Sequence, residues 1–255
     1  MSKKHRSNTL VTKYVVSSIN DLHKHLHKLL PLHIVKVIDS ENKKKKIKQS
    51  LEKLLGSIHD IPLKCLCQDY DKNVLCNNIL IQVLCAYGYL SINSGFSHGD
   101  LEVRNVLVRS IDLEKQPEYT LLIYIVGHVA YIVETQGLIF VLCDFDTSMI
   151  GTGITQRLET INNDVIRFTN AIGKLFDNKD LCNLSREYRN NKLSRCAPIW
   201  FLREYDPIEK IDVTALRLTE WLEWQKKGIC TLLFIHNDIQ TRTSIFKYDN
   251  SAITS

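Results

Sequence analysis

The sequence predicts an α+β fold, and three features of its patterning predict it. Residues 75–92, LCNNILIQVLCAYGYLSI, are apolar on most faces of a helix, which marks a central, buried element. Short runs rich in β-branched and aromatic residues follow it: NVLVRSI, YTLLIYIV, VAYIVET and LIFVLCDFD. The remainder, about 177–255, reads mainly as helices, with Trp200, Trp221 and Trp224 as large apolar anchors.

Taken in order, residues 1–8 are polar and loose, and TLVTKYVV reads as a short strand. SINDLHKHLHKLL places apolar residues at 19, 22, 26, 29 and 30, a helical spacing, and Pro31 stands where a helix ends. HIVKVI reads as a second strand, and the lysine-rich segment after it as a loop running into a helix around Ile47 to Leu55. After the central helix, SGFSHGDLEVRN is an irregular loop and NVLVRSI a strand. YTLLIYIV and VAYIVET meet at Gly127–His128, which suits a tight hairpin. Gly137 leads into LIFVLCDFD, a continuous apolar run of the kind buried on both sides, and NDVIRFTNAIGKLF is helical again.

The 255 residues are 44% hydrophobic and 24% charged, which excludes the disordered and fibrous classes and suits one large domain or two lobes. The net charge of +5 comes largely from the N-terminal third, through Lys3, Lys4, Arg6 and the run Lys43 to Lys46. Such a run attracts nucleic acid or acidic partners, but no aromatic residues interleave with it to stack on bases, and a solvated loop is the plainer reading. Eight cysteines form no CxxC pair, and several sit in apolar runs, so they read as buried, reduced thiols. His23, His25 and His27 are spaced by two, which scatters them around a helix and argues against a metal site. No hydrophobic signal-peptide core follows the basic N-terminus, and no apolar stretch reads as long enough to span a bilayer. The expectation is a soluble intracellular protein, cytoplasmic or nuclear.

The chemistry concentrates in His98-Gly99-Asp100-Leu101-Glu102-Val103-Arg104-Asn105 and, further along the chain, Asp144-Phe145-Asp146. Phosphoryl transfer needs a carboxylate to orient the attacking hydroxyl and accept its proton, and hard oxygen ligands to hold magnesium against nucleotide phosphates. Asp100 supplies the first, while Asn105 and Asp144 supply the second. A loop that caps its own backbone is the competing reading of Asp100 and Asn105. His98 reads as a residue that packs and hydrogen-bonds the loop. Arg104 faces either solvent or a substrate phosphate, and Asp146 is either a third metal ligand or a loop cap.

HGDLEVRNVLV resembles the catalytic loop and following strand of eukaryotic-like protein kinases, His-x-Asp-x-x-x-x-Asn before an apolar run. VLCDFDTS is similar to their metal-binding strand and Asp-Phe-Gly element. Asp164 matches the aspartate that begins the long central C-lobe helix, where it hydrogen-bonds the catalytic-loop backbone. The hairpin at about 115–137, inserted between the two motifs, resembles haspin-like kinases and the serine/threonine kinases of large DNA viruses. The resemblance implies a kinase-like fold with a reduced, degenerate N-lobe and hinge over 1–72 and a mainly helical C-lobe over 73–255.

It also implies ATP and magnesium as cofactors, a protein substrate, no membrane partner, and the host cell as location if the protein is viral. Catalysis would fall to Asp100, metal binding to Asn105 and Asp144, and structural support to His98 and Asp164. The departures bear on activity. Asp146 replaces the glycine of the metal motif, as in small-molecule phosphotransferases of the aminoglycoside- and choline-kinase type. The first glycine of the chain is Gly56, so no glycine-rich phosphate loop precedes the central helix. The phosphate-binding lysine is either Lys13, with Asp21 a poor helix partner, or Lys36, with Glu52 as partner. A pseudokinase or kinase-like binding module without transfer activity, or a small-molecule phosphotransferase of the aminoglycoside- and choline-kinase type, is the alternative to an active serine/threonine protein kinase.

Overall fold

The computed structural model describes residues 19–34, 49–50, 71–151, 154–191 and 197–236. Its elements run α1 (Ile19–Leu29), β1 (Gln49–Ser50), α2 (Lys72–Ser94), β2 (Val106–Ser110), β3 (Leu121–Val126), β4 (Val129–Glu134) and β5 (Leu138–Leu142). They continue with α3 (Ile154–Leu175), α4 (Lys179–Asn191), α5 (Ala197–Glu204), β6 (Ile211–Asp212), α6 (Ala215–Lys226) and β7 (Cys230–His236). The architecture is α+β. The strand expected in TLVTKYVV, most of HIVKVI, and the candidate lysines Lys13 and Lys36 lie outside the described residues, as does Glu52.

The core is organised around α2. Asp71 caps its start by accepting from the backbone N–H of Asn73 and Val74 at 2.7 and 3.2 Å, which satisfies donors the helix leaves open. Gly95 closes it in the left-handed region, at φ 59°. By length and hydropathy this helix could cross a bilayer, which corrects the expectation that no stretch is long enough. Yet 83% of its apolar window is buried inside the protein, against α5, both sheets and α3. Gly88 lets α5 approach closely, since a Cβ there would stand 3.1 Å from Ile199 Cδ1.

Two sheets flank α2. The first has the order β1–β2–β5, with β2 and β5 antiparallel and Val106 opposite Leu142. Gln49 and Ser50 pair with β2 as a strand, so the helix expected over 47–55 is not formed at those two positions. The other edge of β5 is satisfied without a full strand. The Gln82 side chain of α2 accepts from Phe140 N–H at 3.0 Å and donates to Leu138 O at 3.1 Å, mimicking a peptide group. Next to it Leu142 N–H donates to His33 O at 2.8 Å.

The second sheet has the order β6–β4–β3–β7. The hairpin of β3 and β4 turns at Gly127, φ 61°, as expected. Its side chains alternate between two cores. Leu122, Tyr124, Tyr131 and Val133 join the main core, while Ile123, Ile125 and Ala130 join a second core with Leu218 and Trp221 of α6. The hairpin is buried on both faces. The C-terminal region is correspondingly less helical than its sequence suggests, because β7 returns to pair in parallel with β3.

His33 ties the two sheets together at complete burial. A carbonyl only accepts, so Nδ1–H donates to Phe140 O at 2.8 Å, and Nε2 accepts from the Tyr124 hydroxyl at 2.8 Å. Burial, aided by the charge of Arg109 and partly offset by the Phe140 hydrogen bond, pushes the imidazole down to about 4 from 6.5.

Both buried polar side chains have measurable consequences. Gln82→Leu strands a buried N–H and a part-buried C=O, so urea unfolding should show a loss of about 2–4 kcal/mol. His33 is neutral in the fold and takes up a proton more readily once unfolded. Its contribution is therefore intact above pH 6.5 and lost as pH falls from 6.5 towards 4, by about 3 kcal/mol. Unfolding free energies of wild type and His33→Gln across that window check this, since the variant should lose that share of the slope.

Candidate active site

The site is built where two loops leave the paired strands β2 and β5. Because Val106 opposes Leu142, Asn105 faces Cys143, whose N–H and Sγ both point to Asn105 O at 3.0 and 3.3 Å. Ser97 and Met149 exchange backbone hydrogen bonds at 2.9 Å in each direction. The Thr147 and Ser148 hydroxyls donate to His98 O at 3.1 and 2.9 Å. The loop of residues 95–105 is thereby laced to the segment 143–150. This brings Asp100, Asn105 and Asp144 to one end of the sheet, with both carboxylates within electrostatic reach of the His98 ring. Gly99 is required there: its φ is 83°, and a Cβ would stand 2.6 Å from Thr147 O.

His98 packs and hydrogen-bonds between the two segments. Its Nε2–H donates to Cys143 O at 3.0 Å, and its ring lies 5.3 Å from Phe145. Burial lowers its pKa below the ordinary histidine value, against the raising effect of that hydrogen bond and of Asp164, Asp100 and Asp144. A neutral ring braces the loop.

Asp164 is the loop's anchor. Its carboxylate, 1% exposed, accepts from Tyr87 OH at 2.7 Å, Gly99 N–H at 2.9 Å and Leu101 N–H at 3.3 Å. Tyr87 OH in turn accepts from His98 N–H at 3.2 Å. Asp164 does not begin its helix, however. α3 starts at Ile154, and Asp164 sits mid-helix, held by its side chain rather than by a terminal position.

Around Asp100 the contacts are dense. Asn105 Nδ2 donates to Asp100 O at 2.8 Å and to Oδ2 at 3.2 Å. Arg104 and Arg167 donate to Oδ2 and Oδ1 at 3.0 and 3.2 Å. Slight burial raises the Asp100 pKa, but the Arg104 hydrogen bond and the charges of Arg104 and Arg167 outweigh it. The carboxyl ends below its ordinary value. Asp144 is exposed and takes a left-handed backbone, φ 61°, uncommon for a residue with a Cβ. Phe145 beside it is buried against Phe96, ring centroids 5.6 Å apart, and Asp146 faces solvent.

The donor chemistry fits a hard cation. With its nitrogen committed to Asp100, the Asn105 amide leaves Oδ1 without a hydrogen bond among the described residues, beside the strand end that delivers Asp144. Among the described residues no group of three or more His, Cys, Asp and Glu is arranged to hold a metal. Two protein oxygens suit magnesium, which takes one or two carboxylates and completes its shell with water and substrate phosphates. Arg167 and Tyr87 are contributors that the motif pattern does not single out. Arg167 carries a signal, since it lies one turn beyond Asp164 on the same helix face; Tyr87, inside an apolar run, carries none.

No protein-family model, curated protein or solved structure matches this chain. Its functional reading therefore stands on residue chemistry and local geometry.

Asp164→Ala should cost about 2–4 kcal/mol, since it leaves two backbone donors and a tyrosine hydroxyl without their acceptor. Hydrogen exchange at the Gly99 and Leu101 amides checks the cause: protection should fall there before it falls in the strands.

Proposed function

We propose that this chain is an ATP- and magnesium-dependent phosphotransferase of protein-kinase-like fold, acting on serine or threonine hydroxyls of a protein substrate. The observation that carries the reading is the Asn105 amide. It is tied through nitrogen to Asp100, has its oxygen uncommitted among the described residues, and belongs to a residue whose backbone pairs with Cys143, the neighbour of Asp144.

Asp100 would orient the acceptor hydroxyl and take its proton on a carboxylate oxygen. Its lowered pKa keeps it ionised through neutral pH, so activity should fade only on the acid side. Asn105 and Asp144 would hold magnesium, which when bound neutralises the nucleotide phosphates. Asp164 and His98 hold the loop so that Asp100 meets the acceptor without a search. Excluding competing orientations in this way is worth much of the barrier in reactions that need little covalent help from the protein.

One observation favours a second reading, a kinase-like binding module without transfer. Both oxygens of Asp100 are engaged by guanidiniums, which weakens it as a base.

Radiolabelled ATP with magnesium separates the readings, with acceptors that include serine and threonine peptides, water and small amino-alcohols. Wild type should transfer label to hydroxyl peptides. Asp100→Ala and Asp144→Ala should each lose at least about a hundredfold in rate while still folding. Equal label in all three proteins would remove the phosphotransferase reading. A melting temperature raised by magnesium-ATP with no transfer would favour the binding module.

A further inference from the structure

Asp164 and Asn105 hold the backbone of the loop, and Arg167 adds a bond to Gly99 O at 3.3 Å. Beyond that tie, both guanidiniums converge on Asp100. Arg104 bonds Asp100 at 3.0 Å and Glu102 at 2.8 Å, and Arg167 lies 3.2 Å from Asp100, 3.8 Å from Glu102 and 3.7 Å from Asp164. The two arrive from different elements, one from the loop and one from α3. Their side chains remain about half exposed, at 56% and 44%. Arg167 Nη1 makes no hydrogen bond among the described residues, its anion contact being Glu102 at 3.8 Å.

The carboxylates explain why cations belong here. Asp100, Glu102 and Asp144 lie on the two laced loops, and a nucleotide phosphate approaching three carboxylates is repelled unless cations face it. Between Asp100 and Asn105 the loop offers only Arg104 as a positive charge. A guanidinium presents a planar fork of donors that matches a phosphoryl group, and it stays protonated throughout.

We infer that Arg167, with Arg104, is a phosphate-binding fork that contacts the phosphoryl group in transfer and lends Asp100 to the acceptor as it does so. This rests on the phosphotransferase reading and adds a residue to it. Asp100 takes the hydroxyl proton while the acceptor oxygen bonds the γ-phosphorus. The bond from that phosphorus to the β–γ bridging oxygen breaks, and the bridging oxygen keeps the electron pair as ADP leaves. Both guanidiniums keep their protons and share the charge of the equatorial oxygens.

The test uses the full chain with magnesium-ADP, alone and with tetrafluoroaluminate as a mimic of the phosphoryl group in flight. Wild type should gain thermal stability from ADP and gain more when the fluoride complex is added. Arg167→Gln should keep the ADP increment and lose most of the second, with kcat for magnesium-ATP down about a hundredfold and KM within about threefold. Arg167→Lys, which keeps the charge without the fork, should fall between. If Arg167→Gln melts lower but keeps the fluoride increment and its kcat, the residue is only a loop tether and the inference fails while the phosphotransferase reading stands. If wild type shows neither increment nor transfer, both fail.

Discussion

A carboxylate with almost no contact with water must be surrounded by donors, and Asp164 meets that requirement by gathering three segments of the chain. Desolvating an ionised carboxylate without partners costs several kcal/mol, more than any single neighbouring contact returns. Asp164 therefore fixes the distance between α3, the α2 hydroxyl of Tyr87 and the backbone of residues 99–101. The loop that carries Asp100 has no regular structure of its own beyond a single 3₁₀ turn at Val103–Asn105. Its conformation is imposed by a buried charge on another element, so the loop can be irregular and still well defined.

The same economy of side chains appears at β5, the strand that delivers Asp144. A strand inside a protein needs both edges satisfied. β2 serves one edge; Gln82 and the His33–Ile34 backbone serve the other. Asn78 acts in the same way a turn earlier on α2, donating to Glu134 O at 2.7 Å. Asn78 and Gln82, two buried polar residues of an otherwise apolar helix, thus hold both sheets to it. Their spacing of four puts them on one stripe of α2, the stripe that faces the ends of β4 and β5.

How much of this is legible in the sequence follows from what each signal measures. The continuous apolar runs in YTLLIYIV and VAYIVET suit strands covered on both sides, and both faces are buried against separate cores. The candidate site residues stand out because cation and phosphate chemistry restricts side-chain type, and two aspartates and an asparagine near strand ends match that restriction. What stays hidden depends on partners distant in sequence. β7, CTLLFIH, is apolar enough for a helix or a strand, and only its parallel pairing with β3 decides between them. Gln49–Ser50 is a strand because β2 offers an edge, whereas its own sequence favours neither state. The first half of α3, ITQRLETINN, is polar at most positions and gives a weak period. Its pattern therefore places the start of the helix near Asp164, which instead lies mid-helix.

The left-handed turn at Asp144 raises the question of whether the site must be held open by a ligand. For a residue with a Cβ such a conformation costs roughly 1–2 kcal/mol. Immediately after it Phe145 is almost fully buried, between Phe96 and the His98 ring, and burying a phenylalanine stabilises by about 1.5–3 kcal/mol. The bond from Ser148 N–H to Phe145 O, at 3.0 Å, closes the turn behind it. The strain is therefore offset locally by the packing of Phe145, with no ligand needed to hold the turn. The freedom that remains lies in the exposed side chains of Arg104 and Arg167, whose ion pairs with Asp100 and Glu102 are the weakest bonds of the site in water.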